Sequence, residues 1–219
     1  MPAIAYWPAT LLPAEYDFGL VANTQSGGVS PFDKSEQTLE QPGARWTARL
    51  KFDCDRDEAH QLSAFVNLLR GRAGRFYWGP PSWRRRGSAP TWGGASVING
   101  NSQTGELVQF RGFTPNKPDL FYPGDLVSWV DGAGRPYIHQ CIANGAAAYD
   151  LNPSGSDGSA LGLCSIRVSP PIRRSPPDGA VLYYANPLAV WRLNRDDIPV
   201  TFSAGMFGTC TIDIQEALF

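Results

Sequence analysis

The alternation of apolar and polar positions is cleanest between residues 44 and 53. Trp46, Ala48, Leu50 and Phe52 fall on one side, and Thr47, Arg49, Lys51 and Asp53 on the other. A period of two predicts a half-buried strand. The period then becomes helical. Asp55 is a favoured N-cap, and Glu58 three residues on completes a D-x-x-E capping box. Ala59, Leu62, Phe65, Val66 and Leu69 make one apolar stripe, and Gly71 predicts the stop. An arginine-rich exit, Arg70-Gly-Arg-Ala-Gly-Arg75, runs into the aromatic Phe76-Tyr-Trp78. The segment predicts a strand, a helix packed over its sheet, and a return into a second strand.

The rest of the chain is read around that segment. Residues 1–22 are rich in aromatics and prolines and predict an extended arm feeding a strand at Tyr16–Val21. Residues 23–43 are polar and turn-rich, longer than most structural loops, and so are expected to make contacts. They also fit a hairpin with its tip at Ser26-Gly27-Gly28 and a short strand at Gln37–Leu39. From 89 to 187, turn signals such as Asn99-Gly100, Asp131-Gly132-Ala133-Gly134, Asn152-Pro153 and Ser156-Asp157-Gly158 separate short apolar runs. Strands are predicted at Glu106–Phe110, Asp125–Val130, Tyr137–Ile142, Leu163–Val168 and Ala180–Tyr184, in a small antiparallel barrel or sandwich. Longer runs return at Leu188–Leu193, Pro199–Ala204 and Thr209–Ile214. These need a sheet to join, and residues 1–88 provide one. The expected fold is mainly β with one α-helix. Residues 1–88 and 188–219 form a discontinuous domain, and a β-barrel at 89–187 is inserted through an exposed loop.

Composition supports many strands joined by tight turns: 23 glycines and 19 prolines are scattered through 219 residues. The net charge of −1 excludes a global field that would recruit nucleic acid or an anionic membrane. Apart from Lys34, Lys51 and Lys117, every basic side chain is arginine, which suits interfaces. Arg70, Arg72, Arg75, Arg84, Arg85 and Arg86 could suggest a phosphate patch, but no nucleic-acid motif accompanies them, and a solvated or interfacial face is the favoured reading. The four cysteines, Cys54, Cys141, Cys164 and Cys210, lie far apart without a C-x-x-C pair, so buried free thiols are expected rather than a zinc site. The first residues lack the pattern of a signal peptide, and no apolar run approaches the ~18 residues of a membrane helix.

Candidate chemistry is sparse. His60 falls off the apolar stripe of the helix, and His139 is a lone strand histidine of structural type. Asp53, Asp55 and Asp57 alternate like a calcium loop but lack its glycine and its distal acid. Asp196-Asp197 reads as a turn. No nucleophile elbow, zinc motif, P-loop or dinucleotide fingerprint occurs. No catalytic, metal-ligating or cofactor-binding set is expected, and the chain is not expected to be an enzyme.

The order of certain pieces carries a resemblance. Ser26-Gly-Gly-Val-Ser-Pro-Phe32 leads to Glu36-Gln-Thr-Leu-Glu40 and Pro42-Gly-Ala-Arg-Trp46. Leu69-Arg-Gly-Arg-Ala-Gly-Arg-Phe-Tyr-Trp78, Pro123-Gly-Asp125, Pro170-Pro-Ile-Arg173 and a closing strand ending in Gln215-Glu216 follow. The chain resembles the distal tail (Dit-like) proteins of long-tailed, siphovirus-type bacteriophages and prophages. The resemblance implies a tail-tube-like β-sandwich belt domain with one helix and a second, OB-like or galectin-like, β domain. It implies a homohexameric ring made in the bacterial host cytoplasm and placed in the virion tail tip. That ring would lie between the tail tube protein and the tail-tip hub protein of the baseplate, with DNA only in transit through its lumen. A ring of this kind closes by heterologous contacts. Ser26, Gly27, Gly28 and Phe32 in the 23–38 loop, with the belt's edge strands, are the expected contacts between neighbours. Arg70, Arg72 and Arg75 are expected to touch an adjacent subunit or line the lumen. The alternative, from a different class, is a carbohydrate-binding module for host-surface attachment, with Trp92, Trp129 or Tyr137 exposed for stacking on a glycan.

Overall fold

A computed structural model describes residues 4–81, 83, 96–113, 120–143, 162–202 and 208–219. The protein is mainly β, with one α-helix among the described residues. Its strands are β1 (Ala5–Tyr6), β2 (Glu15–Val21), β3 (Thr24–Val29), β4 (Glu36–Glu40), β5 (Arg45–Cys54), β6 (Phe76–Trp78), β7 (Val97–Ile98) and β8 (Gly105–Phe113). They continue with β9 (Leu126–Val130), β10 (Pro136–Cys141), β11 (Gly162–Ile172), β12 (Ala189–Leu193), β13 (Thr201–Phe202) and β14 (Gly208–Glu216). Helix α1 spans Arg56–Leu69, and a single 3-10 turn follows at Gly71–Ala73. The chain divides into two compact units, Met1–Tyr77 with Trp191–Phe219, and Trp78–Val190. These divisions fall at 77/78 and 190/191, where the sequence pattern places them at 88/89 and 187/188.

The first unit is a seven-stranded sheet in the order β1-β6-β12-β14-β5-β2, with β13 beside β14. The closing strand β14 enters the middle of the sheet because its residues alternate as β5's do. Ile212 sits opposite Leu50 and Cys210 opposite Phe52, all buried on one face. Helix α1 covers part of that face with Ala59, Leu62, Phe65, Val66 and Leu69, the stripe predicted from the sequence. Trp7 joins the layer, stacking on Phe52 at 5.7 Å and meeting Phe65 edge-on at 5.1 Å. The capping box forms as expected: Glu58 N–H donates to Asp55 Oδ1 at 2.8 Å, and Asp55 N–H to Glu58 Oε2 at 3.1 Å. The helix ends at Leu69, two residues before the predicted glycine, with Arg70 left-handed at φ 53°. Among the described residues this unit is one sheet with a helix over it, not two sheets packed face to face, because α1 and Trp7 take the place a second sheet would occupy.

The second unit is a curled five-stranded antiparallel sheet, β7-β8-β11-β10-β9. The 180–184 segment bridges both of its edges, with Val181 beside Val97 and Tyr183 beside Ser128. Two hydrogen bonds join Tyr183 and Ser128 at 2.7 and 2.8 Å. This segment therefore closes the open side as a broken sixth strand. Inside lie Ile98, Val108, Phe110, Phe113, Phe121, Trp129, Ile166 and Val168, each 0–1% exposed. The β9–β10 turn is held by Asp131, whose Oδ1 accepts from the N–H groups of Ala133 and Arg135 at 2.8 and 2.9 Å. All four cysteines are buried and free.

Candidate functional site

Among the described residues, strands β3 and β4 pair only with each other. They extend the β2–β5 hairpin past a kink where Gln41 N–H donates to Asn23 O at 2.7 Å. Every residue of both strands is exposed. Six residues at the rise of a β-strand carry the hairpin about 20 Å beyond the sheet. The predicted hairpin is present, but its tip is not at Ser26-Gly27-Gly28. Those residues lie within β3, at a register shift before Val29, where Gly28 takes φ 88°. Only a residue without a Cβ adopts that conformation cheaply, so the glycines serve a bulge.

The tip is the loop 31–34. Lys34 N–H donates to Ser30 O at 3.0 Å and Ser30 N–H to Ser35 O at 2.8 Å, with Lys34 left-handed at φ 62°. Asp33 fastens it by accepting from Ser35 N–H at 3.1 Å and Ser35 Oγ–H at 2.7 Å. Hydrogen bonds from the Ser30 and Ser35 side chains hold the Asp33 carboxyl down at about 2. On this fixed turn Phe32 is 98% exposed, with Val29 at 59% and Leu39 at 60% on the strands behind it.

At the root of the hairpin, β2 is the last strand of its sheet, and its outer edge has no partner strand among the described residues. Its inward residues Tyr16, Phe18 and Leu20 are only half-buried, while Trp46, Ala48 and Leu50 on β5 beside them are buried. Phe18 lies flat on Trp46, centroids 4.7 Å apart and planes 15° apart. An uncovered seven-residue edge without proline or lysine is open to strand addition.

Two arginines of the exit make contacts within their own chain. The backbone N–H and the guanidinium of Arg72 both bind Asp196, at 2.9 and 3.0 Å, while its side chain stays more than half exposed. Arg75 turns one Nη1 onto the carbonyls of Arg72, Ala73 and Gly74, at 2.8–3.0 Å, and so staples the turn that leads into β6. Gly74 is required beneath it, since a Cβ there would overlap the backbone of Leu69. The side chain of Arg70 remains exposed. Arg84, Arg85 and Arg86 lie outside the described residues.

Of the glycan-stacking candidates, Trp92 lies outside the described residues. Trp129 and Tyr137 sit opposite each other on β9 and β10 and are 1% and 5% exposed. They face the packed interior, so neither offers a ring to a sugar. His139 is on the same face, stacked on Trp129 at 4.3 Å and 4°, with Nδ1 2.8 Å from Pro170 O. A carbonyl only accepts, so Nδ1 carries a proton. Burial drives the pKa of His139 down to about 3. Among the described residues no group of three or more His, Cys, Asp or Glu could hold a metal ion, and no helix is long and apolar enough to cross a membrane. No family model matches the chain, and no curated protein is significantly similar to it.

Proposed function

We propose that the protein is a structural component of a phage tail tip, a homohexameric ring that joins the tail tube to the hub and leaves a channel for DNA, and that it is not an enzyme. In this reading the first unit is the ring-forming belt and the curled sheet of the second unit is an OB-like or galectin-like decoration. The observation that carries the reading is the hairpin β3–β4. A two-stranded hairpin without a core is at best marginally stable in water, yet this one has a hydrogen-bonded tip presenting Phe32. A neighbouring subunit supplies the missing cover, and the outer edge of β2, which has no partner strand among the described residues, supplies a second, main-chain contact. The order of sequence pieces from Ser26 to Trp78 points to the same class of protein.

The test uses the hydrogen bond between Gln41 and Asn23 as a natural cut. Replacing residues 24–40 by a two-glycine turn removes no buried side chain. Light scattering after size exclusion is expected to give six times the 23.9 kDa chain mass for the intact protein. The shortened chain is expected to be a monomer with an unchanged melting temperature. An intact protein that stays monomeric at all concentrations, or a shortened one that still forms the ring, overturns the proposal.

A further inference from the structure

The polar face of the first unit's sheet has two differently charged regions. Along the middle of β5 the cations are matched. Lys51 Nζ lies 2.7 Å from Glu15, and Arg49 Nε lies 2.8 Å from Asp213, with Asp17 opposite Arg49 on the other side. At the start of β5 the balance fails. Arg45 Nη1 donates to Gln215 Oε1 at 3.2 Å, and Arg192 on β12 stands directly opposite the same Gln215. Arg75, just before β6, takes the face opposite buried Phe76, and it is close enough to Arg192 for the two positive charges to oppose each other. Arg45, Arg75 and Arg192 are each half-buried. No carboxylate among the described residues pairs with any of them. Tyr77 shares the face of Arg75, and Tyr6, 74% exposed, packs on it at 4.9 Å. Arginine and tyrosine around a desolvated centre are the residues that anchor protein interfaces.

The hairpin has the opposite imbalance. Between Thr24 and Glu40 it carries Asp33, Glu36 and Glu40 against the single cation Lys34. Glu36 accepts from Ser26 Oγ–H at 2.6 Å, and neither it nor Glu40 forms an ion pair among the described residues. Every residue of its strands is exposed, so the hairpin is not seated on the described residues of its own chain. We propose that the Arg45–Arg75–Arg192 corner is the seat of the acidic hairpin of a second copy of this chain. The inference rests on the ring reading above and names the two surfaces that meet. The hairpin supplies the carboxylates that this corner lacks, Glu36 and Glu40. A contact between two different surfaces of one chain is heterologous and propagates around a ring.

Charge exchange tests the pairing in the full chain. The first variant is Glu36→Arg with Glu40→Arg, at exposed positions that do not affect folding. The second is Arg45→Glu with Arg192→Glu, with circular dichroism and a thermal melt to check its fold. The third combines all four substitutions. Mass is measured by light scattering over a range of concentration and sodium chloride. Each double reversal is expected to raise the concentration of half-assembly by about tenfold or more, and the combined variant to restore it. A wild-type ring that the hairpin reversal leaves unchanged, or that the combined variant fails to restore, overturns the pairing while the ring stands. A wild-type chain that never assembles overturns both. Binding of a short DNA duplex that is lost with Arg45→Glu, beside unaltered assembly of the hairpin reversal, assigns the corner to nucleic acid and overturns the pairing as well.

Discussion

His139 makes the stability of the second unit depend on pH from 6.5 downward, a range whose upper part lies above the ordinary carboxylate pKa values. Its ring is 2% exposed, lies flat on Trp129, and donates through Nδ1 to Pro170 O. Loss of water disfavours the imidazolium most. The Pro170 hydrogen bond works the other way, and Arg173 adds a smaller opposing charge, leaving the pKa at about 3 against an ordinary 6.5. Above pH 6.5 both folded and unfolded chains hold the ring neutral, and the full stability is present. As pH falls below 6.5 the unfolded chain binds a proton that the folded chain refuses. Stability then declines by about 1.4 kcal/mol per pH unit until the folded pKa is reached. From pH 7.5 to 4.5 the loss is roughly 2.7 kcal/mol, a large part of a domain's usual stability. Urea unfolding followed by near-ultraviolet circular dichroism, at half-unit pH steps, measures it. His139→Gln keeps a donor for Pro170 and cannot titrate, so its stability should be nearly flat from pH 7.5 to 5.5 after a constant offset and fall less steeply than the wild type below that. Equal slopes for the wild type and His139→Gln would refute the argument.

Three further outcomes are expected. Gly74→Ala drives a methyl group into the Leu69 backbone and should cost about 1–3 kcal/mol, whereas Gly19→Ala, where a Cβ meets nothing within 4 Å, should be close to neutral in the same denaturant titration. Asp55→Ala removes one half of the capping box and should lower stability by about 1 kcal/mol, with Asp55→Ser retaining most of it. A thiol reagent at pH 8 should label none of the four cysteines in the folded protein and all four in urea. Burial closes them off, raising the thiol pKa of Cys164 and pushing that of Cys210 up to about 11.

The elements that depend on short-range pattern were legible in the chain itself. Alternation fixed the faces of β5 and β14, and the spacing of Asp55, Glu58 and the apolar stripe fixed α1, because strand and helix geometry repeat within a few residues. Pairing across the chain was not legible. Nothing near Arg72 announces Asp196, and nothing near Arg45 announces Gln215, which Arg192 faces from the neighbouring strand. Ser26-Gly27-Gly28 has the composition of a turn, yet the turn formed at 31–34, where Asp33 and Ser35 lock the backbone and the glycines became a bulge. Trp129 and Tyr137 are as aromatic as any surface platform. Only curling of the sheet, closed by residues 180–184, turned them inward. Sequence determines what each residue prefers within a turn or two of its neighbours. Which polar groups meet across the sheets depends on long-range register, and that is decided only when the sheets close.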